Sequence, residues 1–168
     1  MKRTAYVLAP GESEPPQSIG NAWAEVVQTS HLYASKMVPG AIGHEIYEAI
    51  MAEAKRDGYV PDTRTDPSVS NSGPAHEFAL DGHSLGNNLH GIGARVAPDL
   101  PFAYGDCVRF PLVEGEWVSM EFHVGVPIPE WGDKKWSARY EENAAVGSAG
   151  LEDLIPMQKE LLLVHSDR

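Results

Sequence analysis

Residues 117–126 read Trp117-Val118-Ser119-Met120-Glu121-Phe122-His123-Val124-Gly125-Val126. Val118, Met120, Phe122 and Val124 fall on one side of an extended chain, and Ser119, Glu121 and His123 on the other. That two-residue period predicts a β-strand, apolar enough to lie centrally in a sheet. Downstream, 138–146 reads as a second strand and 160–165 as a third. Upstream, Thr4 to Ala9 is rich in β-formers and is stopped by Pro10-Gly11.

Between the first strand and the central one the period changes. Ile19, Ala22, Trp23, Val26, Val27, Tyr33 and Met37 recur three and four apart, with one gap at Ser30, and predict a helix. After Pro39-Gly40, the residues Ile42, Ile46, Tyr47, Ile50, Met51 and Ala54 form a second stripe, closed at Gly58. Two helices with one apolar face each must pack on another element, and a sheet is the candidate. Residues 61–74 shift to Pro, Asp, Thr, Ser, Asn and Gly and predict a surface loop. The expectation is one α+β domain, without internal repeats or a domain boundary.

Composition narrows the function. The 168 residues include 13 Lys plus Arg against 24 Asp plus Glu, a net charge of −11. This balance argues against a nucleic-acid binder and against a polybasic membrane-surface protein, both of which need a basic footprint. A single cysteine, Cys107, excludes an internal disulfide and a cysteine-built zinc knuckle. No apolar run approaches the roughly 20 residues of a membrane span, and no signal-peptide core opens the chain. A cytoplasmic location is expected.

Three places carry residue types suited to chemistry. Gly82-His83-Ser84-Leu85-Gly86 leads into a second histidine, His90, seven residues after the first. The bland alternative is two surface histidines in a glycine-rich turn. Glu121 lies mid-strand between Met120 and Phe122, where an ionised carboxylate is expensive unless paired or bound to a metal. The alternative there is the solvated face of a half-exposed strand. Arg139-Tyr140-Glu141-Glu142 offers two carboxylates, of which alternation lets only one share a pocket with Glu121. One imidazole and two carboxylates suit manganese, cobalt or zinc.

The order His83, Glu121, Glu141, in these surroundings, resembles the pita-bread metallopeptidases: prolidase, Xaa-Pro aminopeptidase, methionine aminopeptidase and the related creatinase. Gly82-His83-Ser84-Leu85-Gly86 matches the family's Gly-His-x-x-Gly segment. Arg139-Tyr140-Glu141-Glu142 matches its Arg-x-Glu-Asp-like context, and 150–161 looks like its terminal hairpin. Glu121 is followed by Phe122-His123 where the family has Pro-Gly, so the local pocket wall differs.

The resemblance implies a pita-bread fold, with helices on a mostly antiparallel, curved sheet, and hydrolysis of peptide bonds, including Xaa-Pro bonds. It implies His83, Glu121 and Glu141 as metal ligands, with Glu121 also the general acid/base and Glu141 bridging. His90 would stabilise the tetrahedral intermediate, and His123, on the face of Glu121, is a candidate additional ligand or supporting group. The family's two aspartate ligands lie on an early hairpin ahead of an Arg-Thr-like pair, here Arg3-Thr4. The expectation is therefore that residues 1–168 form a partial, N-terminally truncated catalytic domain without that hairpin. Asp62-Thr63-Arg64-Thr65 mimics the lost motif but sits in the 61–74 loop. A productive metal pair is not expected from these residues alone. A second copy or another partner is expected to cover the sheet edge at Thr4 to Ala9. The alternative functions are a non-catalytic member binding a peptide or protein in the old cleft, and a creatinase-like hydrolase working without metal.

Overall fold

The strand at 117–126 is the spine of the molecule. In the computed structural model, which describes residues 1–61, 76–86 and 91–166 (Pro101 by its backbone alone), eight strands and two long helices follow in chain order. They are β1 (Ala5–Leu8), α1 (Gln17–Lys36), α2 (Gly43–Arg56), β2 (Val60–Pro61), β3 (Glu77–Ser84), β4 (Arg95–Val96), β5 (Trp117–Ile128), β6 (Lys134–Gly147), β7 (Gly150–Asp153) and β8 (Leu162–His165). Most of the 61–74 loop, and with it Asp62, lies outside the described residues, as does His90.

One sheet runs β2-β3-β5-β6-β7, with β4 added to β3. Its pairings are antiparallel except β2 with β3. β5 pairs along its whole length with β6, and β3 flanks its other side. The architecture is α+β on a mostly antiparallel sheet.

The helices cover the apolar face. Ile19, Ala22, Trp23, Val26 and Tyr33 of α1 and Ile46, Ile50 and Met51 of α2 are buried against Leu80, Met120, Phe122 and Tyr140. The gap at Ser30 does not break the stripe. Ser30 is buried too, and its hydroxyl donates to the Val27 carbonyl 2.7 Å away, one turn back. Asp57 caps α2, and Gly58 follows at φ +87°, the left-handed conformation that a chain leaving a helix commonly adopts.

Two sequence readings need correction. The 150–161 segment is not a hairpin. β7 turns back onto β6, whereas β8 leaves to pair in parallel with β1 as a separate two-stranded sheet. The edge expected at Thr4 to Ala9 is therefore covered on one side by β8. The second concerns the glycine-rich turn offered as the alternative for His83: Gly82 and His83 lie inside β3, and no turn interrupts the strand before Ser84. Apolar side chains remain exposed on this small sheet, among them Val7, Leu162 and Val164.

Candidate active site

The register of three strands builds a grid on the face turned away from the helices. Asp81 of β3 stands opposite Glu121 of β5, which stands opposite Glu141 of β6. The next row is His83, Ser119 and Asn143, and the row on the other side is Ala79, His123 and Arg139. Period-two alternation sends every one of these side chains to the same face. Glu142 goes to the opposite one.

His83 and Glu121 meet on the diagonal, with Nε2 and Oε1 3.0 Å apart. His83 is 7 % exposed and its Nδ1 lies 3.1 Å from the Ser84 carbonyl, which excludes the surface-turn reading of this histidine. Beneath it, the Tyr33 hydroxyl donates to the Asp81 carbonyl at 3.0 Å. A Cβ on Gly82 would stand 2.0 Å from that hydroxyl, so the glycine before His83 serves the close packing of α1 against β3.

The carboxylates are neutralised from outside the strands. Residues 2–4 run beside β6: the Lys2 N–H donates to the Glu141 carbonyl at 2.8 Å, and Thr4 Oγ1 donates to the Arg139 carbonyl at 3.3 Å. Lys2 Nζ then donates to Glu121 Oε2 at 3.0 Å and also reaches the Glu141 carboxylate. The amino group of Met1 pairs with Glu141 as well. Arg3 points the other way and pairs with buried Glu142, which also accepts the Gln158 N–H at 3.0 Å. Arg95 holds Asp81 at 2.8 Å.

These contacts shift the titrating groups. The hydrogen bond from His83 is the largest influence on Glu121 and, helped by Lys2 against partial burial, lowers its pKa to about 2. The same bond raises the pKa of His83. Burial works against ionisation of Glu141, but Lys2 and the amino terminus outweigh it and lower the pKa. Desolvation likewise opposes the charge on Lys2, and its two glutamates override it to raise the pKa. For Asp81 burial prevails over Arg95 and the pKa rises.

Lys2, Asp81, Glu121, His123 and Arg139 line a cleft of about 320 Å³, the size of a site for a small ligand. The structure thus brings His83, Glu121 and Glu141 together on one face of the sheet, and Glu121 and His123 line the cleft, His123 bonded through Nε2 to the Ser137 hydroxyl. Ser119 Oγ and Asn143 Oδ1 are buried in the adjoining row and accept or donate no hydrogen bond among the described residues. Asp81, Arg95 and Lys2 were missed in the sequence. Asp81 carried a signal, since it lies two residues before His83 and so must share its face of an extended chain.

The donor chemistry of His83, Glu121 and Glu141 suits a hard divalent ion, but their arrangement does not fit one. His83 and Glu121 are bonded to each other, both glutamates converge on an ammonium, and among the described residues no three His, Cys, Asp or Glu side chains are placed to hold a metal together.

The model of Metallopeptidase family M24 matches residues 1–156. Solved structures with the same fold include an X-Pro aminopeptidase from Thermotoga maritima, with 17 % identity and a TM-score of 0.62 over 90 % of this chain and 35 % of that one. A prolidase from Pyrococcus horikoshii aligns at 19 % identity and a TM-score of 0.58, over 89 % of this chain and 35 % of its own. An Xaa-Pro dipeptidase from Bacillus anthracis aligns at 20 % identity and a TM-score of 0.59, over 96 % and 36 %. At these identities the likeness concerns the fold, and the chain spans about a third of the length of each. A comparison with curated proteins finds no match.

Proposed function

We propose, from the premise that this chain belongs to metallopeptidase family M24, that residues 1–168 form part of a catalytic domain hydrolysing peptide bonds of the Xaa-Pro type. The observation that carries this reading is the diagonal contact of His83 with Glu121, directly opposite Glu141 on the next strand. Three residues distant in sequence are held on one face of the sheet beside a cleft that Glu121 lines, where burying charge has no purpose in stability alone.

In this reading His83, Glu121 and Glu141 are the chain's share of the ligands for a divalent ion, manganese, cobalt or zinc. Such an ion acidifies water and polarises a carbonyl when bound, and the arrangement described above does not hold it. The chain's own residues have assignable tasks. Glu121 is the proton carrier, oriented by the imidazole of His83. With His83 and Lys2 both on it, Glu121 is held ionised. Arg139, exposed at the other end of the cleft, offers a guanidinium to the carboxylate end of a peptide. His123, beside it, is a supporting group, and His90 keeps its role of stabilising the tetrahedral intermediate. The setting is cytoplasmic, and a second copy or another protein segment covers the exposed apolar side of the β1–β8 sheet. Among the described residues no helix is long and apolar enough to cross a membrane.

Hydrolysis of Ala-Pro, followed by release of free proline in the presence of Mn²⁺, tests the reading. Turnover by the full chain is expected to vanish in Glu121→Gln while the circular dichroism spectrum stays unchanged. Turnover equal to wild type in that variant would overturn the assignment. A second reading, peptide binding without hydrolysis, is favoured by the lysine lodged between the two glutamates. It predicts that Ala-Pro binds, by calorimetry, without being cut.

A further inference from the structure

The disagreement between the donor set and its arrangement has a specific cause, and it lies in residue 2. We propose that Lys2 is a built-in counter-cation of the carboxylate site, filling the position a divalent ion needs, so that metal enters only by displacing it. This rests on the assignment of His83, Glu121 and Glu141 to the site.

Glu121 and Glu141 are direct cross-strand neighbours in the centre of a sheet. Two like charges so placed repel unless a cation stands between them, and the Lys2 ammonium lies 3.0 Å from Glu121 Oε2 and also reaches the Glu141 carboxylate. Lys2 is placed to do this by backbone geometry. Its N–H bridges to the Glu141 carbonyl as an isolated β-bridge, with Lys2 reaching the cleft-side glutamates and Arg3 the buried Glu142. The other two acids nearby have their own partners, Asp81 with Arg95 and Glu142 with Arg3. Among the described residues Lys2 pairs with both Glu121 and Glu141, whereas His83 bonds Glu121 alone and the amino group of Met1 adds to Glu141 alone.

Lysine suits the role of a removable plug. Its ammonium is a compact point charge on a flexible stem and imposes no coordination geometry. Its side chain is 44 % exposed, so it can swing into water without opening the core. A dication entering the site would need both carboxylates, which requires Lys2 to leave, and Nε2 of His83, which must release Glu121.

The decisive measurement is Mn²⁺ affinity by titration calorimetry on the full chain, comparing wild type with Lys2→Met. Lys36→Met serves as a control that removes the same charge from the end of α1. Lys2→Met is expected to bind Mn²⁺ about ten-fold tighter or more, the scale set by losing a competing, partly desolvated ion pair. Lys36→Met should bind as wild type does. Equal affinity in wild type and Lys2→Met, or no binding by either, would overturn the proposal.

Should Lys2→Met not fold, amine acylation of the wild-type chain read by mass spectrometry decides instead. Lys2 is expected to react more slowly than Lys36 and to approach its rate when millimolar Mn²⁺ is added. A Lys2 rate indifferent to Mn²⁺ would overturn it. Tighter Mn²⁺ binding by Lys2→Met without Ala-Pro hydrolysis would leave the plug standing and sink the peptidase reading, so the two fail separately.

Discussion

The two faces of β3, β5 and β6 are made from the same three strands and behave as different materials. On the helix side Leu80, Met120, Phe122 and Tyr140 are at most 4 % exposed and are satisfied by any well-packed apolar neighbour. On the cleft side Asp81, Glu121 and Glu141 stand in one row and are satisfied by particular partners, Arg95 for Asp81, His83 and Lys2 for Glu121, and Lys2 and the Met1 amino group for Glu141. Burial on the first face is non-directional and follows from local pattern. Charge on the second must be balanced pair by pair, and for Glu121 one balancing residue lies 119 positions away. Glu142 marks the boundary: it is an acid on the helix side, 1 % exposed, tolerated because Arg3 and the Gln158 N–H hold it.

If the contrast is real, truncating each face has different consequences. Phe122→Ala, which opens a cavity where Phe78 and Tyr140 pack on the ring, should cost about 3–5 kcal/mol in urea unfolding. Glu121→Gln, one residue away, should cost clearly less than Phe122→Ala at neutral pH while removing hydrolysis. Comparable losses from the two would break the comparison.

Gly82 tests the contact through which the helix side supports the cleft. Gly82→Ala forces a methyl onto the Tyr33 hydroxyl and should cost about 1–3 kcal/mol. Adding Tyr33→Phe removes the clashing atom and should recover a good part of that loss, whereas additive losses would mean that the clash is not the cause.

The smallest effect is the pH dependence of one glutamate from each face, Glu121 and Glu142. The pKa of Glu121 falls on folding from its ordinary 4.5 to about 2, so its contribution is complete above 4.5 and is lost as the pH drops towards 2. Desolvation, the largest influence on Glu142, raises its pKa against the pull of the Gln158 N–H and Arg3, so ionising it costs stability as the pH rises past 4.5. Unfolding free energies from pH 2 to 7 should show the wild type losing more than Glu121→Gln on the acid side. Relative to Glu142→Gln, the wild type should lose stability as the pH rises. Parallel curves for all three would erase the distinction between the faces.

Much of this was legible beforehand, for local reasons. The alternation at 117–126 gave both faces of β5, the three- and four-residue spacings gave α1 and α2, and alternation allowed only one of Glu141 and Glu142 beside Glu121, with the family resemblance pointing to Glu141. β3 was harder to see, because Asp81-Gly82-His83-Ser84 has the composition of a turn, and with the strand unrecognised Asp81 was overlooked. The parallel pairing of β1 with β8 was not legible either, since both segments look like ordinary strands and nothing local says which neighbour each will take.

The sequence by itself determined the elements, their apolar faces and the residue types of the site, because those follow from periods of two and of three to four residues within one segment. Only the tertiary structure decided that Asp81, Glu121 and Glu141 stand in one row, that Tyr33 holds the strand bearing His83, and that Lys2 fills the gap between two glutamates. Register and chain path set those meetings. Coulombic pairing acts over a few ångströms of space, and the spacing of residues along a chain does not record which distant segments come that close.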